Sequence, residues 1–177
     1  GYADKCLDSS LSDVTIRTSV GSTGQNNNFN HDILKPDGED VGGLIGVSDS
    51  NGTITISDAK VSGHIKGYSN VGGFIGSVQT FSYTNTNLVF KGTNSIQPEE
   101  TSYTAVSGVF YVGGVIGVLA FTTLTIENPI IITTNVSGTL YGIGGFCGYM
   151  ASSVCNLTNL QFSETMTVNG SNQVGGV

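Results

Sequence analysis

Polar and apolar positions in this chain alternate in short runs and do not follow a helical period. Thr53-Ile54-Thr55-Ile56 puts an apolar side chain at every second position, and Val14-Thr15-Ile16-Arg17-Thr18-Ser19-Val20 alternates more loosely, the pattern of a strand with one buried face. Glycine recurs every few residues, β-branched residues dominate the apolar set, and no capped stretch sustains a 3.6-residue period, so helix is disfavoured throughout. The pattern predicts an all-β chain of short strands.

These strands come in a fixed order. Val41-Gly42-Gly43-Leu44-Ile45-Gly46 returns as Val71-Gly72-Gly73-Phe74-Ile75-Gly76, Val112-Gly113-Gly114-Val115-Ile116-Gly117 and Ile143-Gly144-Gly145-Phe146-Cys147-Gly148, and a fifth copy begins at Val174-Gly175-Gly176-Val177. Successive copies start 30, 41, 31 and 31 residues apart. A second landmark, Val61-Ser62-Gly63, recurs as Val106-Ser107-Gly108, Val136-Ser137-Gly138 and Val168-Asn169-Gly170. Self-similarity at such a period marks a stacked array. The expected fold is a parallel β-solenoid (β-helix) of about five coils, with roughly 30 residues and three short strands per coil stacked ~4.8 Å apart.

Residues 1–177 then form one solenoid segment. Residues 1–40 make an irregular first coil with an insertion, 41–70, 71–111, 112–142 and 143–173 are repeats, and 174–177 start a truncated repeat. The extra residues of the long repeat are expected at Thr93 to Thr104, and Asn128-Pro129 marks a corner, since Pro within a central strand would forfeit a ladder hydrogen bond. Stacking lines up Ile45, Ile75, Ile116 and Cys147, and beside them Leu44, Phe74, Val115 and Phe146. Adjacent strand residues face opposite ways, so only one row enters the core unless the chain kinks, and the Ile row is the expected inner one. The motif glycines serve a tight corner, through positive φ or through close approach of backbones.

The Gly-Gly-aliphatic-aliphatic-Gly core, the polar turn, the alternating strand and the Ser-Gly before the next copy resemble the GLUG-type repeats of large surface proteins and adhesins. The resemblance runs from Val41 onward and covers residues 1–40 only loosely. It departs from the pattern at the long repeat and at Cys147. It implies a β-rich, extracellular, cell-surface or fibrous array without an enzyme core.

Composition sharpens this picture. Only 11% of residues are charged, there is no Trp, and Ser, Thr and Asn supply most of the polarity, as in many chains that work outside the cytoplasm. A net charge of −7 without a basic cluster argues against nucleic acid as a partner. No apolar run reaches the ~20 residues of a membrane helix, and the first residues do not read as a signal peptide. Cys6, Cys147 and Cys155 are too few and irregular for a disulfide framework or zinc site. Cys147 reads as a small buried hydrophobe, with a Cys147–Cys155 disulfide as the alternative.

Candidate chemistry is sparse, and no cofactor is expected. The motif glycines Gly42, Gly43, Gly46, Gly72, Gly73, Gly76, Gly113, Gly114, Gly117, Gly144, Gly145 and Gly148 lack the spacing, the Lys and the helix of a phosphate loop. Asp37, Glu39, Asp40 and Asp49 are weak calcium candidates that complete no known loop, so a solvated acidic surface is the plainer reading. His31 and His64 fall in different repeats and the carboxylates are scattered, which leaves a polysaccharide-active β-helix enzyme as a remote alternative. Thr53/Thr55, Thr84/Thr86, Thr123/Thr125 and Asn156/Thr158 would stack as a hydroxyl ladder able to meet a glycan, although ordinary solvent-facing strand threonine is the plainer reading, and Thr86→Asp is expected to be nearly silent. Sequons at Asn51, Asn135, Asn156 and Asn169 are frequent enough to arise by chance.

The expected function is a non-catalytic structural or adhesive segment of an extracellular or cell-surface protein. Its partners are adjoining repeats of the same chain or identical subunits end to end. A glycan-binding module, using the Thr ladder or the loops at 21–40 and 93–104, is the alternative. Because the chain starts and stops inside a motif, it reads as a window of a longer solenoid or a unit covered by its neighbours.

Overall fold

A run of four or five β-branched residues cannot bury a face alone, and here each run pairs with its own counterpart one period away. The computed structural model describes residues 2–4, 8–12, 15–16, 20–21, 38–49, 52–79, 85–97 and 105–177. The described residues contain strands and no helix, and every strand pairing among them is parallel. This arrangement is consistent with a β-helix or solenoid.

Four sheets result. Sheet A holds Tyr2–Asp4, Ile45–Asp49, Ile75–Val78, Ile116–Ala120 and Cys147–Ala151 in that order. Sheet B holds Asp8–Ser12, Thr53–Ser57, Thr86–Lys91, Thr122–Ile126 and Val154–Asn156. Sheet C holds Thr15–Ile16, Lys60–Val61, Asn94–Ile96, Ile130–Ile132 and Leu160–Phe162. Sheet D runs through Glu39–Gly42, Ser69–Gly72, Ala105–Gly113, Asn135–Gly144 and Val168–Asn169, with Val20–Gly21, His64–Lys66 and Asn172–Gly175 attached.

Each period is cut more finely than three strands. Five lie between Gly43 and Gly73, and four between Gly114 and Gly145. The single strand expected over Val14–Val20 is also divided among its described residues, with Thr15–Ile16 in sheet C and Val20–Gly21 in sheet D.

The interior is a set of columns made by in-register pairing. Ile54, Leu88 and Leu124 align in sheet B, as do Ile56, Phe90 and Ile126, and Val61, Ile96 and Ile132 align in sheet C; all are buried. Their removal from water contributes on the order of 2 kcal/mol per side chain before the entropy of ordering is set against it. Phe74 and Phe90 meet across the interior with ring centroids 5.8 Å apart.

At the motif both rows enter the core. Ile45, Ile75, Ile116 and Cys147 are buried, and so are Phe74, Val115 and Phe146, with Leu44 half-buried against them. The expectation that only the Ile row faces inward is therefore corrected. The strand stops at Gly42 and restarts at Ile45, and the bend at Gly43-Leu44 resets the alternation of faces. Hydrogen bonds to the next repeat continue through the bend, from Gly43 N to Gly73 O at 3.1 Å and from Leu44 N to Phe74 O at 2.9 Å, so no corner amide is orphaned there.

Register corrects the second landmark as well. Val106-Ser107-Gly108 pairs with Val136-Ser137-Gly138, and the latter with Val168-Asn169, but the counterpart of Val106-Ser107 in the preceding repeat is Ile65-Lys66, not Val61-Ser62. Val61 belongs to sheet C. His64 accordingly stands opposite Ala105 rather than in a row with Val109.

The long repeat spreads its extra residues over several corners. Val78 to Asn87 is nine residues where the paired Ser48 to Thr53 is five, and Ile96 to Val106 is ten where Val61 to Ile65 is four. Placing the whole insertion at Thr93 to Thr104 was thus too narrow, and Asn94–Ile96 is itself a strand of sheet C. Pro129 does lie in the bend between Thr122–Ile126 and Ile130–Ile132.

Candidate functional site

The glycines of the motif work by close approach. None of the twelve has a positive φ; among the described residues the glycines that do are Gly63, Gly92 and Gly142. A Cβ on Gly42 would overlap the carbonyl of Ile45 and lie 2.6 Å from Gly76 N, and one on Gly76 would lie 2.6 Å from Val41 N. Sheets A and D therefore touch backbone to backbone beside the corner. The middle glycines stack on one another: a Cβ on Gly43, Gly73, Gly114 or Gly145 would strike the carbonyl of Gly73, Gly114, Gly145 or Gly176 respectively. Only hydrogen fits at that spacing.

Immediately before the motif, the backbone is left-handed in every copy. Asp40, Asn70, Tyr111 and Gln173 have φ of 53°, 55°, 50° and 52°, and Gly142 has 72°. Each non-glycine residue there costs on the order of 1 kcal/mol. Side chains offset part of this: Ser69 Oγ donates to Asn70 Oδ1 at 3.1 Å, and Asn70 Nδ2 donates to Asp40 Oδ1 at 2.9 Å.

Before the third and fourth copies of the motif the same corner turns aromatic. Tyr68, Phe110, Tyr111, Tyr141 and Tyr149 form one chain of ring contacts, with centroids 5.4 Å apart for Tyr68–Phe110, 4.8 Å for Phe110–Tyr141, 5.6 Å for Tyr111–Tyr141 and 4.9 Å for Tyr111–Tyr149. The first three are edge-to-face, the geometry that ring quadrupoles favour. Tyr111 is central, and Gly142 makes room for it, since a Cβ there would lie 2.7 Å from Tyr111 Cδ1. Burial first, then the phenols of Tyr141 and Tyr149 beside it, push the Tyr111 hydroxyl above its ordinary pKa. Tyr141 and Tyr149 remain 40% and 46% exposed.

Sequence reasoning missed this ridge, although a signal existed. Two positions before each motif stand Glu39, Ser69, Phe110, Tyr141 and Asn172, and the pairing keeps them in one column.

The proposed threonine ladder is differently composed. Thr53 aligns with Asn87 and Thr123, and Thr55 with Val89 and Thr125, while Asn156 pairs with Thr125. Thr84 lies outside the described residues. Thr86 pairs with Thr122, and both are fully buried, so the expectation of a silent Thr86→Asp is overturned. The reason is that Thr86 opens its strand on the same face as Leu88 and Phe90.

The remaining candidates do not converge. Asp37, His31, Asn51 and Cys6 lie outside the described residues, as does the side chain of Asp49. Glu39 is exposed on sheet D and the Asp40 carboxylate is occupied by Asn70. Among the described residues no three His, Cys, Asp or Glu side chains gather. His64 is exposed. Of the sequons, Asn135 Oδ1 accepts from Thr167 N at 2.9 Å and from Thr167 Oγ1 at 3.0 Å, Asn156 Oδ1 accepts from Thr158 N at 3.3 Å, and Asn169 is exposed.

Cys147 and Cys155 are free thiols. Cys147 donates to Tyr149 O at 3.2 Å, and burial pushes its thiol up to about 12. In the unfolded chain the thiol ionises near ~8.5. Its contribution to stability is thus fully present below that value and is lost as the pH climbs toward about 12. An iodoacetamide pulse on the native chain at pH 8 is expected to label Cys155 well before Cys147, and urea should equalise them. Peptide mass mapping reads this out, and equal native labelling would show that Cys147 is not held in the core.

No family model, curated protein or solved structure matches this chain.

Proposed function

We propose that this chain is a non-catalytic, load-bearing segment of a long extracellular or cell-surface protein, closed into a β-solenoid of about five coils whose partners are further coils. The observation that carries the reading is the interlocked glycine corner. It fits a neighbouring coil and little else, because its atoms leave no room for a side chain or ligand. Stability in such a stack is close to a sum of coil and interface contributions, so it extends by repetition. The parallel backbone ladder then resists separation of coils, while the corners present Ser, Thr, Asn and aromatic side chains to partners. The resemblance to GLUG-type surface repeats and the low charge point the same way.

Antibodies raised against the chain and applied to intact cells of its source test the location. Labelling is expected without permeabilisation, and labelling that needs permeabilisation would end the surface reading. Pulling single molecules by their ends tests the mechanics. Extension is expected in steps of about one repeat, and smooth yielding without such steps would end the stacked-coil reading.

A further inference from the structure

We propose that the ridge of Tyr68, Phe110, Tyr111, Tyr141 and Tyr149 is a binding surface for an uncharged oligosaccharide lying along the stacking direction of the strands. The distribution of tyrosine is the first argument. The four tyrosines whose side chains are described all stand on this ridge, whereas Phe74, Phe90 and Phe146 are buried in the core. The outward positions of sheet B carry residues such as Thr53, Asn87 and Thr125, so large rings are not needed to finish that outer face. Two rings nevertheless keep 40% and 46% of their surface in water, and exposed aromatic surface of this kind marks a place of contact.

The rings are also held in advance. Edge-to-face contacts link them, and Gly142 leaves the space that Tyr111 fills. Little rotamer freedom is left to lose on binding, which favours affinity. Tyrosine offers an apolar face and a hydroxyl together. Pyranose rings have the matching character, with C–H faces that pack on an aromatic ring and hydroxyls around the rim.

The polar half of the ridge completes the match. Along the same corner, in the preceding repeats, lie Ser69, Asn70 and Asp40, joined by hydrogen bonds and offering donors and acceptors to sugar hydroxyls. Ser69, Phe110 and Tyr141 occupy one column, so a chain running along it meets an amide and hydroxyl face first and rings next. Charge selects the class of sugar. Glu39 and Asp40 stand at one end of the ridge and the whole chain carries −7, which repels an anionic glycan. The site does not depend on whether the chain belongs to a surface fibre.

The test uses the full chain with cello-, manno-, xylo- and galactohexaose, and polygalacturonate as the anionic probe. Because the chain has no Trp, tyrosine fluorescence reports binding directly, with calorimetry in parallel. One or more of the neutral hexasaccharides should bind saturably. Tyr141→Ala and Tyr149→Ala should each weaken binding about tenfold, Tyr141→Phe should weaken it only about threefold, and Val154→Ala, an exposed apolar control, should change nothing. Circular dichroism confirms that each variant is folded. The proposal is overturned if none of the neutral probes binds, if binding survives loss of both rings, if polygalacturonate binds more tightly, or if sedimentation shows the ridge buried in a self-associated dimer that Tyr141→Ala dissolves.

Discussion

Gly73→Ala is expected to abolish the cooperative folding of the chain, and Gly176→Ala, the same position of the same motif, to leave it unchanged. A methyl on Gly73 would strike the carbonyl of Gly114 and reach 2.5 Å from Ile96 Cδ1, whereas a methyl on Gly176 would meet nothing within 4 Å. The Ile96 side chain could give way, but the Gly114 carbonyl is backbone of a residue whose N–H donates to Gly144 O at 3.1 Å, and it moves only if two repeats part. The two substitutions share the same intrinsic gain from replacing glycine, so their difference isolates stacking. That difference should be about 4 kcal/mol or more, a large part of the 5–15 kcal/mol that holds a typical domain together. Urea unfolding followed by circular dichroism measures it. Equal midpoints for the two variants would mean that the repeats do not approach as closely as the corner requires.

Ile75→Asp should have the next largest effect. Ile75 is fully buried and lies in register between Ile45 and Ile116, so a carboxylate there faces apolar neighbours on both sides. The loss of apolar burial and the cost of burying a polar group without partners amount to roughly 4 kcal/mol, with the carboxyl taking up a proton instead of staying charged. Thr86→Asp belongs with Ile75→Asp, because Thr86 is fully buried as well. Thr125→Asp, on the exposed face of the same sheet, should shift unfolding by less than about 0.5 kcal/mol. If Thr86→Asp melted with Thr125→Asp and apart from Ile75→Asp, the pairing of Thr86 with Thr122 would be wrong.

The fold class was open to reading because its period and alternation are properties of neighbouring letters. The glycine motif marked the corner, and the Thr53–Ser57 alternation predicted the inner and outer faces found for that strand. Three things depended instead on which repeat pairs with which. Both rows at the motif are buried because a two-residue bend, invisible to a rule of alternation, separates the strands. Val61-Ser62-Gly63 looked like a landmark on identity alone. Counting to the motif would have corrected it, since Gly67, Gly108 and Gly170 each precede the first motif glycine by five residues while Gly63 precedes it by nine. The aromatic ridge gathers rings from several columns, with Phe110 and Tyr141 in one and Tyr111 and Tyr149 in others, so no single spacing in the chain announces it.

The uneven share of extra residues among the corners amounts to a rule for change of length. Sheets A, B, C and D keep their pairing although the second period is eleven residues longer than the first, because the surplus falls between paired strands, chiefly from Val78 to Asn87 and from Ile96 to Val106, and lengthening a connection costs little. The bend from Gly42 to Ile45 has no such freedom, and its length is identical in the four complete copies. One corner therefore acts as the fixed datum from which each turn is measured, and the others are the places where such a chain can acquire new surface without losing count.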